Sequence, residues 1–214
     1  TQFMSYSETL PTDANVPSKK SNRTLIAIIF VAVFPVVAAY FVYFTGIGVP
    51  ENTVNNGKLL TNAVNVSDLL SNQQAEMLQS INSDRKWRIL LPVSADCDTS
   101  CQANLYTTRQ VHVLLGEKSL RVERYAVNIS GEKGREYLAS IAEQHPGLAA
   151  IDVERSRWFK WLANSNTDMD WSLQNYYLLV DQQGFAMMVY TDDIHGNLLK
   201  KDLKRALKYS IDYQ

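Results

Sequence analysis

The stretch that decides the fold is WRILLPVSADCDTSC, at residues 87–101. Its first seven residues are mostly apolar and have the length of a strand, and helical spacing of apolar residues follows over 99–115. The loop between the two elements carries Cys97, which has an aspartate on each side, and Cys101 follows four residues later. We therefore predict a strand, a cysteine-bearing loop, and a helix whose first turn contains Cys101.

The alternation of strand and helix patterns continues along the chain. Further strands are predicted at 122–127, 149–153, 176–181 and 185–190, and further helices at 132–144, 155–162 and 198–209. This order indicates a parallel sheet covered on both faces, which a closing antiparallel hairpin around 182–184 makes mixed. The predicted fold class is α/β, a thioredoxin-like mixed sheet with flanking helices. Residues 66–81 have some helical spacing, but the pattern does not place the segment 59–84.

Composition excludes several classes of protein. The 214 residues include 21 Lys and Arg against 22 Asp and Glu, a formal net charge of -1. This balance argues against a nucleic-acid partner, because such proteins usually carry a basic surplus. A hydrophobic content of 46% with 9 Gly and 6 Pro argues against a disordered or collagen-like chain. Two cysteines are too few for a disulfide-rich scaffold, and three histidines limit metal chemistry.

A membrane anchor is indicated by residues 25–44, LIAIIFVAVFPVVAAYFVYF, which carry no charge. Twenty helical residues span about 30 Å, the thickness of the hydrocarbon core of a bilayer. Lys19, Lys20 and Arg23 precede the run, and no Lys or Arg follows until Lys58. The positive-inside rule then places the N-terminus in the cytoplasm and the following domain outside it. A cleaved signal peptide is the weaker alternative, because its apolar region would be shorter.

These patterns give a domain organisation of four parts. We expect a cytoplasmic tail at 1–24, a transmembrane helix at 25–45, a linker and N-terminal extension at 46–84, and a thioredoxin-like domain at 85–214. The first 22 residues are polar and without periodicity, which is typical of a disordered tail.

The cysteine pair is the candidate functional site. A loop after a strand of a parallel sheet is where α/β proteins form sites, and the start of a helix favours a thiolate. Cys97 and Cys101 are close enough in sequence for both sulfurs to reach each other or one ion. Asp96 and Asp98 oppose thiolate formation by their negative charge. Redox chemistry, metal binding and a static disulfide all stay open on these residues alone.

The sequence resembles the Sco family at several of these features: the single anchor, W-x-x-L at 87–90, C-x3-C at 97–101 and YYLLVDQQG at 176–184. The resemblance implies a thioredoxin-like, membrane-tethered factor for assembly of cytochrome c oxidase. Residues 55–60 and 196–204 look closer to a bacterial subgroup of small transmembrane proteins associated with that oxidase. The implied location is the bacterial inner membrane, with the C-terminal domain in the periplasm.

Copper is the cofactor that the resemblance suggests. Sco proteins hold copper with two cysteines and a histidine that normally precedes the late strand. The similar segment here is Asp170-Trp171-Ser172, and no histidine occurs between His145 and His195. Cys97 and Cys101 are therefore candidate copper ligands, and His195 is a third candidate that depends on how its loop folds. Two thiolates suffice for Cu(I), which prefers soft sulfur, whereas tight Cu(II) binding becomes doubtful.

The resemblance and the residues together give a functional hypothesis with two alternatives. We expect an accessory factor in cytochrome c oxidase biogenesis, a possible thiol–disulfide oxidoreductase that uses Cys97 and Cys101 as catalytic residues. Its expected partners are oxidase subunits or other copper-assembly factors, together with the lipid bilayer. The alternatives are a Cu(I) carrier that uses the same cysteines, and a non-catalytic oxidase-associated membrane protein with a structural disulfide.

Overall fold

The computed structural model describes residues 22–45, 55–70, 75–172 and 175–210. The chain divides into two compact units, Thr1–Asn52 and Thr53–Gln214. In the first unit, helix α1 (Asn22–Thr45) contains the segment Leu25–Thr45, which is long and apolar enough to cross a membrane. The expected polar tail before residue 22 lies outside the described residues, as do residues 46–54 and 71–74 of the expected linker and N-terminal extension. The boundaries of the four expected parts and the orientation of the helix stay predictions.

In the second unit, the described residues form one six-stranded mixed sheet in the order β1-β6-β5-β2-β3-β4. The strands are β1 (Lys58–Asn65), β2 (Trp87–Val93), β3 (Val122–Asn128), β4 (Leu148–Asp152), β5 (Tyr176–Val180) and β6 (Phe185–Thr191). Strands β2, β3 and β4 are parallel, whereas β5 is antiparallel to β2 and to β6, and β1 is antiparallel to β6. The predicted mixed sheet with a closing hairpin is confirmed.

Among the described residues of this unit, five α-helices cover the two faces of the sheet. They are α2 (Ala75–Ser83), α3 (Thr99–Leu114), α4 (Gly131–Ile141), α5 (Arg155–Ala163) and α6 (Gly196–Tyr209). Side chains of α2 and α5 belong to one core cluster, and side chains of α3, α4 and α6 belong to the cluster on the other face. Strand β2 is buried on both faces, because Leu90 joins the first cluster while Ile89 and Leu91 join the second. This double burial explains its continuous apolar sequence.

The segment that the sequence pattern leaves unplaced supplies an edge strand. Strand β1 pairs with β6, so that Lys58 faces Val189 and Asn65 faces Phe185. The close approach of Gly57 to the ring of Tyr190 explains why glycine precedes the strand, since a Cβ atom there would lie 2.6 Å from that ring. Helix α2 then follows, overlapping the end of the part with helical spacing at 66–81 and continuing beyond it to Ser83.

A charged network fixes the edge of the sheet where β2 and β3 begin. Arg88 is fully buried, and its guanidinium donates to Glu123 Oε2 at 3.2 Å. The same group donates to the carbonyl oxygens of Ser80, Asp84 and Lys86 at 2.7, 3.0 and 2.9 Å. The Lys86 ammonium also reaches Glu123, at 3.1 Å. We call Ser80, Lys86, Arg88 and Glu123 the network edge. Its charges are paired, and its hydrogen bonds tie α2 to the sheet.

Candidate functional site

The two cysteines form a disulfide at the opposite edge of the sheet, where β2 ends and α3 begins. Their Cα atoms are 5.3 Å apart. Asp98 caps α3, because its carboxylate accepts a hydrogen bond from the Cys101 backbone N–H at 2.8 Å. Gln102 Nε2 donates to the carbonyl oxygen of Cys97 at 3.0 Å. The disulfide therefore joins the loop to the third residue of a capped helix.

The disulfide is largely covered by neighbouring side chains. Cys97 and Cys101 each keep 8% of their surface exposed and belong to the core cluster that contains Leu105. Because little of the sulfur surface is exposed, a partner thiolate can reach it only through a narrow opening, or after the loop has moved. This burial is the property of the pair that the sequence pattern does not give.

The electrostatic surroundings of the disulfide are negative. Asp96 and Asp98 are exposed and flank Cys97. The Asp98 carboxylate accepts the hydrogen bond of the Cys101 backbone N–H, which is then not free to stabilise a thiolate. The start of α3 would favour a thiolate, but that carboxylate offsets part of the effect. Asn175, just before β5, donates to both carboxylate oxygens of Asp98 at 3.3 and 3.2 Å. Asn175 was missed by sequence reasoning, because its contact with Asp98 joins residues 77 positions apart.

Trp171, which stands where the resemblance would place a copper-ligand histidine, packs elsewhere. Its side chain is half-buried and lies against the core cluster on the face of the sheet opposite the cysteines. Its ring meets the ring of Tyr176 edge-on, with centroids 5.0 Å apart. The residue at this position therefore contributes to packing on the other side of the sheet.

His195 caps the start of α6. Its Nδ1 accepts a hydrogen bond from the Asn197 backbone N–H at 3.2 Å, so in the neutral ring the proton is on Nε2. Within the described ranges, no three His, Cys, Asp or Glu side chains converge closely enough to hold a metal ion. The structure thus brings Cys97 and Cys101 together but does not add His195 to them as a third donor.

The donor atoms beside the disulfide determine whether a copper ion fits this site. The two sulfurs are joined to each other, and the part of the chain that the structure describes offers no third ligand beside them. The residues do not fit a three-ligand centre with a histidine. After reduction they would offer two sulfur donors, a set that suits Cu(I) better than Cu(II).

Comparisons with known proteins address the fold. A family model described as "Transmembrane-like, thioredoxin-like, C-terminal domain" matches residues 87–210, more than half of the chain. No curated protein matches the sequence. This match confirms the thioredoxin-like fold predicted from the order of strands and helices.

Similar solved structures include two Sco proteins and a thiol:disulfide interchange protein. ScoI of Bradyrhizobium japonicum with copper bound is 15% identical, over 56% of this chain and 85% of that one, with a TM-score of 0.42. ScoI of Arabidopsis thaliana with copper bound is 15% identical, over 60% of this chain and 88% of that one, with a TM-score of 0.47. The interchange protein from Bacteroides sp. is 14% identical, over 73% of this chain and 92% of that one, with a TM-score of 0.46. By its family model, this chain belongs to the family of proteins with a transmembrane-like, thioredoxin-like C-terminal domain.

Proposed function

We propose that the chain is a membrane-anchored accessory factor in cytochrome c oxidase biogenesis, and that Cys97 and Cys101 exchange thiol and disulfide with a protein partner. The observation that carries the proposal is the disulfide itself, which joins the loop after β2 to the first turn of α3 in a thioredoxin-like fold. The assignment to the oxidase rests on the resemblance of residues 87–90, 97–101 and 176–184 to the Sco family. The proposed location is the bacterial inner membrane, with this domain in the periplasm.

The exchange begins with a thiolate of the partner. Starting from the disulfide, this thiolate attacks one cysteine sulfur, the Cys97–Cys101 bond breaks, and the other sulfur leaves as a thiolate that takes up a proton. A second thiol of the partner then attacks the mixed disulfide and releases the first cysteine as a thiol. The partner loses two electrons and gains a disulfide, and the pair gains two electrons and two protons. The reverse sequence reduces the partner.

Trapping the mixed disulfide tests the proposal. In the full chain in its own membrane, Cys97→Ser or Cys101→Ser leaves one thiol, which can still attack a disulfide of the partner in the reverse sequence but lacks the second sulfur that would resolve the mixed disulfide. We expect one of these variants to accumulate a disulfide-linked complex with an oxidase subunit or another assembly factor on a non-reducing gel. The double variant should form no complex and should lower the amount of assembled oxidase. Normal oxidase assembly in the double variant would overturn the proposal.

A structural disulfide is the second candidate function, and the burial of the pair favours it. Cys97 and Cys101 lie among packed apolar side chains, and the carboxylate of Asp98 opposes their ionisation. Under this candidate the protein acts at the oxidase through its surface alone. The double variant would then be less stable, but oxidase assembly would proceed at any temperature at which the domain stays folded.

A further inference from the structure

The edge of the sheet that carries the disulfide is acidic. The loop after β2, the residues before β5 and the loop after β6 meet at this edge, since β5 runs opposite to β2 and β6 runs in the same direction as β2. We call the exposed carboxylates of these three segments the acidic rim. Its members are Asp96, Asp98, Asp168, Asp170, Asp192 and Asp193.

The segments that form this rim carry no Lys or Arg, whereas the segments after β3 and β4, at the same end of the sheet, carry Lys133 and Arg155. The sequence contains no Lys or Arg from residue 161 to residue 199. Lys58 lies beside the rim and shares a cavity with Asp168, Asp192 and Asp193, and its Nζ donates to the carbonyl oxygen of Asp168 at 3.0 Å. The carboxylates do not converge on one point, because the described residues hold no group of three that could bind a metal ion. A field of this shape attracts an extended cation rather than a single ion.

A cavity of about 450 Å³ adjoins the rim, between α3 and the loop that connects β6 to α6. It is lined along α3 from Ser100 to Leu114, a distance of about 20 Å at the rise of a helix, and Asp192 and His195 line its other side. About six residues of extended chain span that length. Ser100, at one end of the lining, is the neighbour of Cys101 in sequence, so this end of the cavity lies on the same first turn of α3 as the disulfide.

Tyr177 places an unpaired donor beside this cavity. It is 1% exposed and lines the cavity, and its hydroxyl has no hydrogen-bond partner among the residues that the structure describes. Burial and the neighbouring charge of Asp192 raise the pKa of Tyr177, so its hydroxyl stays protonated and can act as a donor. An unpaired buried donor is costly, and a carbonyl oxygen of an entering peptide would satisfy it.

We propose that the cavity and the acidic rim bind an extended, lysine- or arginine-rich segment of the protein whose thiols exchange with Cys97 and Cys101. The inference rests on the proposed exchange and names the chemistry of its partner. Basic side chains of the segment face Asp192 and Asp193, a backbone carbonyl accepts from Tyr177, and apolar side chains contact Val111 and Leu114. Charge complementarity of this kind speeds encounter and rejects acidic partners.

Peptide binding to the full chain in detergent tests the proposal. The probe is a short, labelled, cysteine-free peptide of alternating lysine and leucine, and its counterpart carries glutamate in place of lysine. We expect fluorescence anisotropy to show tighter binding of the lysine peptide, weakened by added salt. Asp192→Asn combined with Asp193→Asn should weaken it about tenfold. Tyr177→Phe should weaken it about fivefold without lowering the melting temperature, because the hydroxyl has no partner in the free domain.

A matched control removes the same charge from the other edge of the sheet. Glu117 and Glu143 are exposed and precede β3 and β4, so Glu117→Gln combined with Glu143→Gln should leave binding unchanged. Equal binding of the two peptides, or an equal loss in this control, would overturn the proposal. Self-association of the chain that needs Asp192 and Asp193, without binding of the lysine peptide, would also overturn it, because the occupant would be a second copy.

The failure of this inference can be told apart from the failure of the proposed exchange. The peptide carries no cysteine, so its binding is measured equally well in the Cys97→Ser, Cys101→Ser double variant. Binding with no trapped mixed disulfide in the membrane would contradict the exchange alone. A trapped mixed disulfide with no preference for the lysine peptide would contradict this inference alone.

Discussion

The two edges of the sheet differ in how their charges are arranged. At the network edge, the buried Arg88 guanidinium is matched by the Glu123 carboxylate and by three carbonyl oxygens. At the other edge, Asp96 and Asp98 flank Cys97 of the disulfide, and the segments of the acidic rim carry no Lys or Arg. One edge therefore stabilises the fold by pairing its charges, while the other keeps exposed carboxylates beside the groups we propose to be reactive.

The largest effect is expected at the network edge. Arg88→Met leaves Glu123 without its buried partner and three carbonyl oxygens without a donor, so the free energy of unfolding should fall by about 3–5 kcal/mol. Urea unfolding followed by circular dichroism measures this loss.

Arg124 provides the matched control for Arg88. It is also buried, but its Nη2 donates only to the Leu105 carbonyl and Thr108 Oγ1, at 3.1 and 3.3 Å, and its Nε has no partner in the described part of the chain. Burial and the charge of Arg109 lower the pKa of Arg124 to about 10. Arg124→Met should therefore change stability by less than about 1 kcal/mol. Equal losses in the two methionine variants would show that pairing does not set the stability of the network edge.

A smaller loss of stability is expected at the disulfide. The bridge closes a loop of only a few residues, so the chain-entropy relation gives about 2 kcal/mol for its removal in the Cys97→Ser, Cys101→Ser double variant. The same urea titration measures it. A loss greater than that of Arg88→Met would reverse the comparison and make the disulfide a main structural support.

Asp98 separates the structural and electrostatic roles of the disulfide edge. Asp98→Ala removes the cap of α3 and should cost about 1 kcal/mol, whereas Asp98→Asn keeps a capping oxygen and should cost less. Both variants remove a charge that opposes the thiolate, so both reduced proteins should react faster with oxidised glutathione in a stopped-flow assay. Slower reaction in both variants would mean that the carboxylate assists exchange.

The smallest effect is a pH dependence from the network edge. Burial raises the pKa of Glu123, but Lys86, Arg88 and Ser80 outweigh it and lower that pKa below its ordinary value of 4.5. A lowered pKa in the folded state stabilises the protein above pH 4.5, and this stability is lost as the pH falls through the folded pKa. The urea concentration at the midpoint of unfolding should therefore decrease at pH values below about 4.5. This decrease should be smaller in Glu123→Gln. An identical fall in that variant would assign the effect to other carboxylates.

The sequence predicts the fold better than the site, for physical reasons. Strands β2, β3, β5 and β6 lie under helices or between other strands, so their apolar runs are visible in the sequence. In β1 only Leu60 and Val64 are buried, and its partner strand lies more than 100 residues away, so no local pattern reveals it. The junction that holds the cysteines is local and was predicted. The contact of Asn175 with Asp98 and the packing of Trp171 on the other face depend on distant segments and could not be predicted.

The reduction potential of the Cys97–Cys101 disulfide distinguishes exchange with a partner from a purely structural bridge. It can be measured in the full chain by equilibration with mixtures of reduced and oxidised dithiothreitol, with the two forms counted after thiol alkylation. Exchange with a partner requires that the pair can be both oxidised and reduced, so we expect a potential above about -300 mV. A potential well below about -300 mV would contradict the account and assign the disulfide to structure alone.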